Sequence, residues 1–504
     1  MKYQNPVIRG YNPDPTVCKA KGKYFLASSS FQFFPGVPLF ESNDLINWKQ
    51  IGYCLTRESQ LPLDNVGSSG GIYAPTLRFN DGRFYMVTTN VGHKDGGNFY
   101  VWTDDIYGEW SEPVFVDQGG IDPSLYFENG KTYFMSNGSD EDGRNSIIQC
   151  EIDITTGKKL SGSKTVWHGT GGRYLEAPHL YKIGKYYYLL AAEGGTEYGH
   201  MITYARSDSL WGPFIPYPGN PVLTNRNLGG YPLQGIGHGD LLEDNNGNWW
   251  IYMLGFRQID RWMPYHHLGR EICLMPVTFN NEGWFTAGDG SDLSGTVPVE
   301  VETDRISCNV KQDFKKIYTF ENAPWDKDWQ FLRSFKKENY SFEKDRFKIK
   351  SSNDNLDTPG GGTPAFIGLH QKEFDMELSC RIKTNEGEAG ITIYMDENHH
   401  YDLALVKTGS ACRVALKLNI GDIKYEKTSI PVAHNEALLK ITSDSINYRF
   451  ILAEDGKETI LGTGQTKYLS SEVAGGFTGV LLALYSQFGN SRFNEFSEFV
   501  CKYV

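Results

Sequence analysis

YLEAPHLYKIGKYYYLLAAE, residues 174 to 193, carries a carboxylate at Glu176 and follows a pattern that recurs along the first 260 residues. Read from Pro178, it runs as a short apolar approach, a proline, an apolar strand start, a Gly turn and an aromatic-rich second strand. The same order appears in NPDPTVCKAKGKYFLASSS from Asn12, IYAPTLRFNDGRFYMVTTN from Ile72 and IDPSLYFENGKTYFMSNGS from Ile121. GHGDLLEDNNGNWWIYMLG from Gly237 repeats it with Gly239 in place of the proline. The anchors at 15, 75, 123, 178 and 239 lie 60, 48, 55 and 61 residues apart. Five hairpins at such a period predict the blades of a β-propeller.

The first strand of every propeller blade lines the central axis, so one position of the repeat converges in space. The residue before each anchor is Asp14, Ala74, Asp122, Ala177 and His238, and Glu176 lies one place earlier in its copy. Asp-Pro is an ordinary turn dipeptide, and any one of these acids alone reads as a strand-end cap. Asp14, Asp122 and Glu176 together, in phase with the repeat, read differently. Converging carboxylates repel unless they have different protonation tasks.

A chain of 504 residues predicts two domains if all-β. Gly 55, Tyr 30, Phe 29 and Trp 11, with little helical periodicity, point to short strands and tight turns. The formal charge of -12 argues against nucleic acid or an anionic membrane as partner and leaves a neutral ligand. The eight cysteines form no CxxC pair and are scattered through apparent strands, as small buried hydrophobes would be, so neither a disulfide framework nor a zinc site is expected. No apolar run reaches the ~18 residues that span a bilayer, and MKYQNPVIRG lacks the apolar core of a secretory signal. The expected location is the cytoplasm.

Along the chain, Phe31 follows the first hairpin and either stacks on a sugar ring beside the axis or packs in the core. Tyr73 and Ala74 replace acids in the second copy, making that blade a wall, with Tyr73 offering an apolar face and a hydroxyl or simply filling its strand. His200 and Glu197 read as supporting groups or as satisfied structural residues. His238, at the repeat position of the acids, holds a central metal or water, or fastens the fifth blade to the first. Arg270, opening the last apolar strand, either relieves the repulsion among the acids or lies on the surface. Residues 286 to 305, TAGDGSDLSGTVPVEVETDR, read as a linker, and the GGG run at 360 to 362 as a loop. Beyond 310, FDMELSCRI (374 to 382), CRVALKLNI (412 to 420) and INYRFILA (446 to 453) alternate strictly, as half-buried strands of a sandwich do. The expectation is all-β: a five-bladed propeller over 1–300 and a β-sandwich over 310–504.

Two carboxylates in opposed environments can hydrolyse a glycosidic bond, one ionised to activate water and one protonated to release the leaving oxygen. The set NPDP at Asp14, IDPS at Asp122, YLEAPHLY at Glu176, QGIGHGDL at His238 and LGRE at Arg270 resembles glycoside hydrolase family 43. The resemblance spans nearly the whole chain, because the subgroup with β-xylosidase and α-L-arabinofuranosidase members also carries a C-terminal concanavalin-like sandwich. It implies an exo-acting, inverting enzyme with Asp14 as general base, Glu176 as general acid, Asp122 tuning the acid and Arg270 supporting the site. It further implies no required cofactor, with room for a structural calcium or a water near the axis at the histidine matching His238. A sandwich loop is expected to close the site, with Phe488 its candidate. The implied partner is a small oligosaccharide with terminal xylose or arabinofuranose; the sequence leaves the number of chains open, a homo-oligomer included. Ala177 departs from the usual Gly, and Tyr73 from the Trp of many xylosidases, which bears on sugar preference. Invertase-like fructosidases share the plan, but their Asn-Asp-Pro-Asn, Arg-Asp-Pro and Glu-Cys signatures do not stand at the matching places. A silent carbohydrate-binding propeller and a protein-interaction propeller are the readings from other classes.

Overall fold

The computed structural model describes residues 1–288, 295–306, 312–320, 327–343, 345–360, 362–454 and 456–503. Five blades are arranged around an axis, each with its inner strand first in sequence. The inner strands are Thr16–Ala20, Thr76–Asn80, Ser124–Glu128, Glu176–Ile183 and Leu233–Glu243. Each pairs antiparallel with the strand that follows it, and each sheet continues outward in sequence order apart from the short Gly71–Ile72, which adds to the second blade.

The repeat position before each anchor has a physical signature. Asp14, Asp122, Ala177 and His238 all have positive φ, between 48° and 55°. Side-chain-bearing residues seldom accept that conformation, and here it turns the chain from the pocket into the inner strand. In the fourth blade the register shifts between Glu176 and His179, and in the fifth between Gln234 and Gly239. These bulges re-aim side chains at the mouth of the site.

The N-terminal segment closes the ring. Val7 and Ile8 bond to Ile272 of the fifth blade, and Lys2–Gln4 pairs with Glu300–Glu302. The described part of the expected linker is therefore packed: Phe285–Ala287 is the outer strand of the fifth blade and Val297 is fully buried. Residues 289–294 of that stretch, Cys308, Gly361 of the GGG run and residue 310 at the expected domain boundary lie outside the described residues.

The second unit is a sandwich of two eight-stranded sheets. The strands expected from alternation form at Met376–Lys383, Ala411–Ile420 and Asn447–Glu454, with buried positions on one face. One sheet receives a strand from the propeller: Phe33–Phe34 pairs with Trp329–Leu332 at its edge. Apolar side chains of both units run together, with Phe25, Leu39 and Phe84 in the same buried cluster as Ile391, Leu403 and Phe496. Among the described residues no helix is long and apolar enough to cross a membrane.

Candidate active site

A cavity of about 590 Å³ opens over the propeller axis, within the range of small-molecule sites. Glu176, Thr196, Tyr198 and Arg270 line its propeller side, and Ser471, Glu472 and Phe477 its sandwich side.

Asp14 lies below this cavity, 5 % exposed. Its Oδ1 accepts a hydrogen bond from Arg270 Nη1 at 2.7 Å and stands 3.6 Å from His238 Nδ1, while Ser29 donates its hydroxyl to Oδ2. Burial by itself would raise the Asp14 carboxyl. The Arg270 cation, His238 and the Ser29 hydroxyl outweigh it and hold the group below the ordinary carboxylate range. Asp14 is therefore an ionised carboxylate in a nearly dry place.

Asp122 and Glu176 go the opposite way. Burial, then the negative charges of Glu176 and Asp14, push Asp122 well up; Arg270 and the backbone N–H of Ala177 oppose this only in part. Burial and the Asp14 charge raise Glu176 to about 7, again against Arg270. The two form one interacting pair that keeps a proton at neutral pH.

Phe31 and Tyr73 lie together beside these acids, ring centroids 5.0 Å apart, with the Arg270 guanidinium 5.4 Å from the Phe31 ring. Phe31 is 3 % exposed and serves as floor; Tyr73 is half-buried and donates its hydroxyl to Ser69 O at 3.1 Å.

The loop that closes the site is not the expected one. Phe477 sits 5.9 Å from the Phe31 ring, its N–H donates to Ser69 Oγ at 2.9 Å, and its carbonyl accepts from Arg270 Nη2 at 3.3 Å. Phe488 stands at the opposite end of the strand Leu481–Gln487, on a turn packed against Gly387. Seven extended residues separate the two ends by roughly 20 Å, so Phe488 does not line the cavity. Glu472, on the short helix Ser471–Ala474, accepts from Tyr198 at 2.9 Å and from the His266 backbone and ring at 2.9 and 2.6 Å. These bonds pin the sandwich loop to the fourth and fifth blades.

Below the acids a cation fills the axis. Arg78, from the second inner strand, donates to Asp240 of the fifth at 2.8 and 3.1 Å and meets His179 Nδ1 of the fourth at 2.9 Å. Tyr181 and Thr16 also bond to Asp240, so four inner strands share one buried ion pair. His238 is held neutral, burial depressing its ring further than the Asp14 charge raises it. As a cation ligand it does not fit: the carboxylate beside it is committed to Arg270 and Ser29, and the guanidinium occupies the axis beneath. Among the described residues no group of three His, Cys, Asp or Glu side chains could hold a metal ion. His200 packs against Gly237, where a Cβ would come within 2.2 Å of its ring, and bonds to Gly235 O. Glu197 instead pairs with Arg173 at the rim.

Comparison with known proteins places the same features in a wider set. The model of glycosyl hydrolases family 43 matches residues 3–285, and that of the β-xylosidase C-terminal concanavalin A-like domain matches residues 318–499. A non-reducing end α-L-arabinofuranosidase of Bacteroides ovatus is 36% identical over 500 residues, covering 98% of this chain and 92% of that protein. A xylosidase/arabinosidase of Butyrivibrio fibrisolvens is 32% identical, with 98% of each chain covered. Among solved structures, the xylan β-1,4-xylosidase of Bacillus halodurans superposes with a TM-score of 0.92 at 28% identity, covering 99% of this chain and 100% of its own.

Proposed function

The chain belongs to glycosyl hydrolases family 43 and is a glycosidase, and from that premise we propose that it removes terminal L-arabinofuranose or D-xylose from the non-reducing ends of hemicellulose oligosaccharides. The observation that carries this reading is the opposed ionisation within one cavity. Arg270 keeps Asp14 charged while burial and mutual repulsion keep a proton on the Asp122–Glu176 pair.

Asp14 takes a proton from a water as its oxygen attacks the anomeric carbon. Glu176 passes its proton to the leaving oxygen, and the direct displacement inverts the centre. Asp122 holds the pair protonated until the bond breaks. The loop carrying Phe477 closes one side of the cavity, which supports exo-action on a chain end. The named activities of the two relatives support the choice of sugars, and Tyr73 at the wall is where preference between them would be set, a matter of the roughly 1–3 kcal/mol that one contact supplies. No step uses a cofactor. Among the described residues the seven cysteines are unpaired and mostly buried, which supports a reducing, cytoplasmic location, with the oligosaccharide as substrate there.

The test is sugar release from a β-1,4-xylo-oligosaccharide and an α-L-arabinofuranosyl oligosaccharide, wild type beside Asp14→Asn. The wild type should release monosaccharide, and the variant should lose at least about 100-fold in kcat, as expected when a general base is removed, with its melting profile kept. Turnover by Asp14→Asn at the wild-type rate would overturn the assignment of the base. No release by either protein would favour a silent binding propeller.

A further inference from the structure

Each turnover leaves a proton on Asp14, which is 5 % exposed and is not among the residues that line the front cavity. A second opening lies behind it. Ser29, which bonds to Asp14, also lines a small cavity of about 30 Å³ between the two domains, together with Tyr11, Asn12, Gln330 and His370. That is room for about two waters. Its walls offer polar atoms with no partner among the described residues: the Tyr11 hydroxyl and both ring nitrogens of His370. Tyr11 and His370 are 5 % and 8 % exposed, and their rings lie 4.6 Å apart. The small cavity shares Phe40, Gln50, Asp328 and Lys372 with a larger one of about 600 Å³ that opens at the seam between the domains.

We propose that this seam is a proton exit that re-ionises Asp14, running from Ser29 through the small cavity to the seam. The proposal rests on Asp14 being the base. Protonated Asp14 gives its proton to Ser29 Oγ as the Ser29 hydroxyl proton passes to water in the small cavity. From there it moves along hydrogen bonds past His370 and Gln50 to bulk solvent. One O–H bond breaks and one forms at each transfer, and nothing is oxidised or reduced. Arg270 sets the direction, because it makes protonated Asp14 the stronger acid of the chain.

The test separates the first turnover from later ones. Gln50→Trp fills the neck between the two cavities, and His370→Phe removes the ring nitrogens while keeping a ring. With an aryl arabinofuranoside or xyloside in low buffer, both variants should keep the wild-type single-turnover rate, since Asp14 starts ionised. Steady-state kcat should fall roughly fivefold or more, with a larger solvent isotope effect and recovery on adding imidazole buffer. Wild-type kcat in both variants overturns the proposal, and so does an equal loss in single and multiple turnovers, which would mean ordinary damage to the site. Failure of Asp14→Asn to lose activity removes the base itself and is a different result from either.

Discussion

At the scale of single residues, the proposed catalysis depends on how Arg270 divides its charge. Its guanidinium touches Asp14 directly and only partly offsets the repulsion felt by Asp122 and Glu176. The pH profile of kcat/KM should therefore be a bell. On the alkaline side the rate falls as Glu176 loses its proton, near 7; on the acid side it holds until Asp14 protonates, below the ordinary carboxylate range. Arg270→Met leaves Asp14 buried without its cation, so the acid limb should move upward and kcat/KM should drop by about 100-fold. An acid limb that stays in place in the variant would show that something other than Arg270 holds Asp14 ionised. The acids were legible in the sequence because they recur in phase with a strand repeat, which fixes where they meet. Ser29 and Arg78 were not, although Arg78 sits three residues past its anchor on an inner strand. Its role depends on Asp240, which lies 162 residues away, and a partner across the axis leaves no local pattern.

At the scale of elements, the loop after the helix Ser471–Ala474 is the lid and Phe477 its working part. Gly475 and Gly476, both with positive φ, let the chain turn back so that Phe477 reaches Phe31 and Arg270. Phe477→Ala removes an aromatic contact and bares the pocket floor; an aromatic pair is worth about 0.5–1.5 kcal/mol beyond its buried area, so KM for a small glycoside should rise roughly tenfold. An unchanged KM would mean the lid stands clear of bound sugar. Sequence pointed to the wrong end of the strand Leu481–Gln487 because either of its aromatic loops could have faced the propeller, and only the direction of the strand decides which does. The sandwich strands themselves were readable from their alternation, but not the polar cluster inside them. His400 lies between Asp402, at 2.9 and 3.0 Å, and Asp357, at 2.9 Å. Burial opposes its charge, but these two carboxylates overcome it and lift His400 to about 9. A histidine raised in the folded state stabilises fully below the unfolded value of about 6.5 and loses that contribution as pH rises through about 9. Stability should fall by about 3 kcal/mol between these limits, read as a lower denaturant midpoint. His400→Gln should flatten that dependence, and an equal slope in both proteins would place the titration elsewhere.

At the scale of the whole molecule, the two units are joined too closely to behave as separate domains. The propeller supplies Phe33–Phe34 to a sandwich sheet, the sandwich supplies Phe477 to the propeller's pocket, and one apolar cluster runs through both. Across the seam Glu373 accepts from two propeller arginines, Arg9 at 2.8 Å and Arg257 at 2.7 Å, and Arg257 also holds Glu271 of the fifth blade. Domains linked by a small polar contact unfold independently, whereas a shared sheet edge and core make the loss of one unit expose apolar surface on the other. The repeat in the sequence separates the propeller from the sandwich, yet a strand exchanged between units is only two residues long and carries no periodicity of its own. Thermal unfolding should therefore show one transition, reported alike by calorimetry and by tryptophan fluorescence. Glu373→Ala takes one partner from each of two mostly buried guanidinium groups, of which Arg257 keeps Glu271, and should cost roughly 2 kcal/mol, less than the 3–5 of a fully buried pair. Its midpoint should fall by a few degrees with the single transition kept, because the shared edge and core remain. Two transitions in the wild type, one of them untouched by Glu373→Ala, would mean that the seam is a docking contact and that the lid can leave the pocket with its domain.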